Sequence, residues 1–200
     1  FLLNNRGAIA PGYLADFAVI DNFKDFNVEM VFKKGVLYWN NGELRDFDAP
    51  QIEEYLDKRA HDTFHVATLT PDDFRDTRQR GVLGMVPGEI ITTDNGYADH
   101  VDLEKDILKI AVVERHKGTH HIGLGYIQGY GLRSGAVATS ISHDSHNIIV
   151  VGTNSADMAF AANYIVEHHG GIVVVENGVV KGSVVLEIAG IMSDRPLTEV

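Results

Sequence analysis

Hydrophobic positions fall in short β-prone runs bounded by glycine, proline and asparagine, with one long stretch of helical period. Ala15–Ile20, Val28–Phe32 and Val36–Trp39 read as strands, and Pro11-Gly12, Lys33-Lys34-Gly35 and Asn40-Asn41-Gly42 as turns. Two or three antiparallel strands are too few to be stable alone. They expect partners from elsewhere. Charge density then rises through residues 43–62, where Pro50 suits the first position of a short helix with Ile52, Tyr55 and Leu56 on one side.

A second run of elements begins near Thr63. "FHVATLT" reads as a strand, and Thr70-Pro71 as a helix start with Thr70 as cap. Residues 81–93 read as a strand region broken at Pro87-Gly88. Four strand candidates follow within 106–116, 123–132, 135–142 and 147–153. Asn154 or Ser155 caps a helix that carries Met158, Ala161, Ala162 and Ile165 as a stripe, with Gly170-Gly171 as its stop. Asn177-Gly178 centres a hairpin. Runs of strands with few helices predict an α+β fold, largely antiparallel and mixed, not a regular βαβ alternation. The expected organisation is 1–46 as the end of one sheet, 47–62 as a connector and 63–200 as an α+β domain.

Composition narrows the classes. The chain has 200 residues, 44% hydrophobic, enough for one domain and a smaller piece. A formal net charge of −11 disfavours non-specific binding to nucleic acid or anionic membrane. Without cysteine there is no disulfide framework, thiolate metal site or Cys nucleophile. That suits a cytoplasmic protein, and no apolar run has the length of a membrane span. Phe1-Leu2-Leu3 reads as the middle of a longer chain.

The chemistry concentrates in "HDSHN", residues 143–147, between two apolar β-prone flanks. On an extended backbone Asp144 and His146 share one face and His143 and Ser145 the other. On a helical turn His143 and His146 align. Either geometry could bind a metal, polarise a substrate or relay a proton. The alternative is a polar turn whose Asp and Asn satisfy local amides. Gly123, Gly125 and Gly129 miss the dinucleotide fingerprint by one residue and suit tightly packed strands. His120-His121 point apart on a strand, and His168-His169 suit a helix C-terminus. No His-x-His, His-Glu-x-x-His, Gly-x-Ser-x-Gly or phosphate-binding loop occurs.

The opening "GAIAPGYLADFAVID" with "VEMVFKKGVLY" resembles the C-terminal part of the amidohydrolase superfamily, where the chain leaves its barrel for a small β-sandwich. "DILKIAVVERHKGT", "HDSHNIIVVGTN" and "LEIAGIMSD" resemble the C-terminal domain of bacterial adenine deaminases, and the two likenesses together cover nearly the whole chain. They depart from it at "THHIG", which argues against a role for His120 and His121. The resemblance implies hydrolysis of adenine to hypoxanthine and ammonia by an iron or manganese centre held on a (β/α)₈ barrel that precedes Phe1. It implies that this chain needs no cofactor of its own. Its partners would be that barrel, adenine as the whole enzyme's substrate, and further copies in a homo-oligomer. On this reading His143, Asp144, His146 and Asn147 cover the purine pocket, or His143 and His146 hold an accessory metal. Arg115, His116 and Asp194 are weaker candidates from the matching motifs. The rival is a structural module whose "HDSHN" is only a turn.

Overall fold

The computed structural model describes residues 3–45, 51–196 and 199–200. Pro50 lies outside them. The chain forms two compact units, residues 1–51 and 52–200.

In the first unit β1 (Phe17–Ile20), β2 (Val28–Lys33), β3 (Val36–Asn40) and β4 (Glu43–Leu44) form an antiparallel sheet in chain order. Lys34 and Gly35 turn β2 into β3, and Asn41 and Gly42 turn β3 into β4. All four have positive φ, as a tight hairpin requires. Phe17 and Phe32 stack with centroids 4.8 Å apart. None of the described residues of this unit is buried. Four strands without a buried side chain have little to stabilise them against chain entropy.

The second unit opens with α1 (Glu54–His61), which buries none of its residues. A 3₁₀ turn follows at Pro71–Phe74, with Thr70 and Asp73 forming a reciprocal capping box. Eight strands then build one sheet: β5 (Arg80–Met85), β6 (Thr92–Ala98), β7 (Ile107–Val113), β8 (Ile122–Gln128), β9 (Ala136–Thr139), β10 (Ile148–Gly152), β11 (Gly171–Glu176) and β12 (Val179–Val185). Their spatial order is β12-β11-β9-β10-β7-β8-β5-β6. The β5–β8 pair is parallel and every other neighbouring pair antiparallel. The fold is thus α+β, mixed but largely antiparallel, and no (β/α)₈ barrel forms among the described residues.

The register assigns each side chain to a face. Val173, Ala138, Val150, Ala111 and Leu124 lie in one row across β11, β9, β10, β7 and β8. The first four are fully buried beneath α2 (Ser155–Glu167), which adds Met158, Ala161, Ala162 and Ile165 to the same core. The opposite row, Ile172, Thr139, Ile149, Val112 and Gly123, faces outward. There Ile172 and Val112 remain 38% exposed. A one-residue slip would exchange these faces, so the core fixes the register.

Two expectations change. Residues 62–70, read as containing a strand, form no ladder. Phe64, Val66 and Leu69 pack on the core, and the side chain of Asn163 on α2 serves as Leu69's hydrogen-bond partner. It accepts from the Leu69 amide at 2.9 Å and donates to its carbonyl at 2.8 Å. The apolar pattern was right, but the backbone polar groups found a side-chain amide. At the end of α2, His169 and not glycine takes the left-handed position, with φ 57°. The amides of His169 and Gly170 bond Val166 and Ile165, a Schellman closure.

Candidate functional site

Residues 143–147 form a turn between β9 and β10, not an extended strand, closed by a single i+4 to i bond that no helix continues. Its apex is exposed: His143 and Asp144 side chains are each 91% accessible and pair with each other at 2.9 Å. Its base is pinned. The His146 amide bonds the Ser142 carbonyl, and His146 has φ 49°. The Ser145 carbonyl lies 2.8 Å from Nε2 of His116. Asn147 Oδ1 accepts from the Arg115 amide at 3.4 Å. These contacts follow from the sheet. Val113 pairs with Ile148, so the residues just beyond β7 face those just before β10.

Beneath the turn lies Arg115, 2% exposed. Its Nε donates to the His146 carbonyl. Nη1 donates to the carbonyl and hydroxyl of Thr63 at 2.9 and 3.1 Å, and Nη2 to the Ala189 carbonyl at 2.9 Å. The guanidinium sits 4.2 Å from the centre of the Phe64 ring. Burial pushes its pKa below the usual arginine value. Gly190 closes this pocket: a Cβ there would lie 2.9 Å from the Phe64 ring and 3.0 Å from Nη2, at φ +74°.

His146 Nδ1 is buried and has no hydrogen-bond partner among the described residues. Such orphaned groups are few in folded proteins and ask for an explanation. No group of three or more His, Asp or Glu side chains among the described residues is placed to hold a metal ion. The turn therefore offers at most part of a metal site.

The remaining candidates separate. Arg115 and His116 join the turn, whereas Asp194 is exposed in a bend near the C-terminus. His120 instead meets Asp73, Nε2 to Oδ1 at 3.1 Å, and His168 stacks on Tyr164 at 3.9 Å. Sequence reasoning gave Glu114 no role. Desolvation pushes its pKa up, but bonds from the Thr119 hydroxyl and the amides of His116, Lys117 and Thr119 outweigh it and hold the value at about 2. They fold the 114–119 loop that carries His116. An acidic residue followed by a Gly-Thr turn was the available signal.

Two clefts among the described residues of the second unit lie away from the turn. One of about 610 Å³ runs over Gly81, Gly123 and Gly125 beside Tyr97. Another of about 340 Å³ lies between Ile90-Ile91 and the outward row of β7, β9 and β10. Neither is lined by a residue of the 143–147 turn. No helix among the described residues is long and apolar enough to cross a membrane.

The comparisons with known proteins agree with the motifs. The family described as adenine deaminase C-terminal domain matches residues 88–200. The chain is 39% identical over 214 residues to an adenine deaminase of Dehalococcoides mccartyi, covering 100% of this chain and 36% of that protein. It is 40% identical over 209 residues to an adenine deaminase of Petrotoga mobilis, covering 99% and 36%. It is 37% identical over 207 residues to that of Lysinibacillus sphaericus, covering 98% and 35%. The chain thus spans about a third of the length of these relatives. A match over more than half its residues, on the unit that carries the pinned turn, shows that the chain belongs to the adenine deaminase C-terminal domain family.

Proposed function

We propose that this chain is the C-terminal part of a metal-dependent adenine deaminase, which converts adenine and water to hypoxanthine and ammonia in cytoplasmic purine salvage. The relatives' name supports the reaction. The observation that carries a role for this chain is the orphaned Nδ1 of His146, beside a pinned turn that holds His143 and Asp144 outward. A buried polar atom without a partner costs about 1–3 kcal/mol. Because that atom is closed to solvent in this conformation, bound purine or another part of the polypeptide would supply its partner only together with a shift of the turn.

The iron or manganese of such an enzyme finds no ligand set among the described residues. Its ligands would lie in the barrel portion, and no step through the metal is assigned to this chain. What this chain supplies is a cover. His143, oriented by Asp144, and His146, oriented through its main chain, would hydrogen-bond the purine or exclude water from it. Asn147 works from below, on the Arg115 amide. An accessory metal at His143 and His146 would need further ligands from outside this chain.

A structural reading has one observation in its favour. The outward face of the eight-stranded sheet is apolar, with Ile172, Val174 and Val112 each 38% exposed. In that reading the unit joins subunits of a homo-oligomer and the turn has no part in the reaction.

Kinetics of the full-length polypeptide separate the two. His143→Ala and His146→Asn should lower kcat/KM by roughly 10²–10⁴-fold, about 3–5 kcal/mol of transition-state stabilisation. Asn tolerates positive φ, so the turn survives that change. Residues 1–200 alone should release no ammonia from adenine with added Mn²⁺ or Fe²⁺. Wild-type kinetics for both variants would leave the structural reading standing.

A further inference from the structure

We infer that Arg115 is a positioning residue: one buried guanidinium, bonded to main-chain carbonyls of three separate segments, sets the conformation of the 143–147 turn. Its kinetic consequence rests on the function proposed above, but the positioning itself does not.

Among the described residues no Asp or Glu pairs with Arg115, although it is 2% exposed. Its charge is met by carbonyl dipoles of Thr63, His146 and Ala189, by the Thr63 hydroxyl and by the face of Phe64. A buried charge without a counter-charge is a poor way to gain stability, and an apolar side chain of similar volume would pack there at lower cost. What a guanidinium adds is direction. Its donors form a rigid planar fork that a flexible ammonium does not reproduce. Here the fork spans residues 63, 146 and 189, which lie far apart in the sequence.

The bond to His146 is the consequential one. His146 takes a left-handed conformation, φ 49°, which points its carbonyl down at Nε of Arg115. His enters that region more readily than most residues, and here the bonds of its carbonyl to Arg115 and of its amide to Ser142 hold it there. Arg115 also presents its own amide to Asn147 Oδ1, while its carbonyl accepts from the His65 amide at 2.8 Å. His146 and Asn147, the C-terminal side of the turn, are thus referred to one residue, and the His146 amide carries that anchor across to the Ser142 carbonyl. The apex has no such support, since His143 and Asp144 are 91% exposed and bond each other. Their direction follows from the base.

The test uses the full-length polypeptide carrying Arg115→Met, Arg115→Lys or His143→Ala. Amide exchange over residues 142–147 should rise at least about tenfold in Arg115→Met, with α2 and β11 unchanged. Arg115→Lys keeps charge and bulk but loses the fork. It should show the same local loosening, and it keeps the test open if the Met variant fails to fold. In both, kcat should fall more than KM changes. The Arg115→Lys/His143→Ala double variant should fall no further than the weaker single variant, because residues acting as a unit are non-additive. Local exchange unchanged from wild type in either folded variant overturns the positioning role, whatever the kinetics. Faster local exchange with wild-type kcat/KM in every variant, His143→Ala included, upholds positioning and overturns the proposed cover.

Discussion

Asn163 joins α2 to the irregular 62–70 segment, and its removal gives a magnitude that can be worked from the geometry. Its amide accepts from Leu69 N–H at 2.9 Å and donates to Leu69 C=O at 2.8 Å. Leu69 is 3% exposed and packs against Phe74 and the core beneath α2. Asn163→Ala therefore leaves one buried donor and one buried acceptor without partners. Each costs about 1–3 kcal/mol when water cannot reach it. Partial solvation of the half-buried Asn163 site brings the expected loss to about 2–4 kcal/mol. The contrast is Asn163→Asp. The carboxylate still accepts from the amide but repels the carbonyl, so it should fall at or below the Ala variant. Urea unfolding followed by far-UV circular dichroism measures this. The single tryptophan, Trp39, belongs to the first unit and reports on the wrong part. A midpoint for Asn163→Ala equivalent to less than ~0.5 kcal/mol of destabilisation, with unchanged slope, would refute the reasoning. It would mean that the segment is held by Phe64, Val66 and Leu69 alone.

The 114–119 loop should respond to acid. Glu114 titrates at about 2, below its usual 4.5, so it stabilises the loop fully above about 4.5 and loses that contribution as pH falls toward 2. Amide exchange at Lys117 and Thr119 should rise across that window in the wild type and be pH-independent there, after correction for intrinsic rates, in Glu114→Gln. A flat wild-type profile would contradict the assignment. In the first unit, whose described residues are all at least partly exposed, amides of β1–β3 should exchange much faster than those of β7 and β10. Equal protection in a demonstrated monomer would show that four strands suffice.

Local pattern made most of the secondary structure legible. Asn41-Gly42 and Asn177-Gly178 demand positive φ, and the structure gives it to them. Asn154 caps α2, accepting from the Asp157 amide at 2.8 Å. The apolar runs of β9, β10 and β11 mark them as buried strands, but they are continuous (AVA, IIVV, IVVV), so the face that meets α2 was set by strand pairing. The "HDSHN" run was visible as a polar interruption between strands. Apart from the face presented to α2, all of this depends on neighbours a few residues apart.

Long-range pairing decided the rest. Sequence could not show that β5 runs parallel to β8, since a parallel partner leaves no hairpin signal. It could not tell that the apolar 64–70 run would forgo a ladder, because that turned on an amide 94 residues away. Nor could it show that Arg115 would be buried beneath the turn, since an isolated Arg reads as a surface residue. The antiparallel pairing of β7 with β10 places residue 115 beside residue 146. Tertiary structure thus turned five polar residues of ambiguous geometry into an exposed His143–Asp144 pair on a fixed base, because only a folded sheet brings three distant carbonyls within reach of one guanidinium.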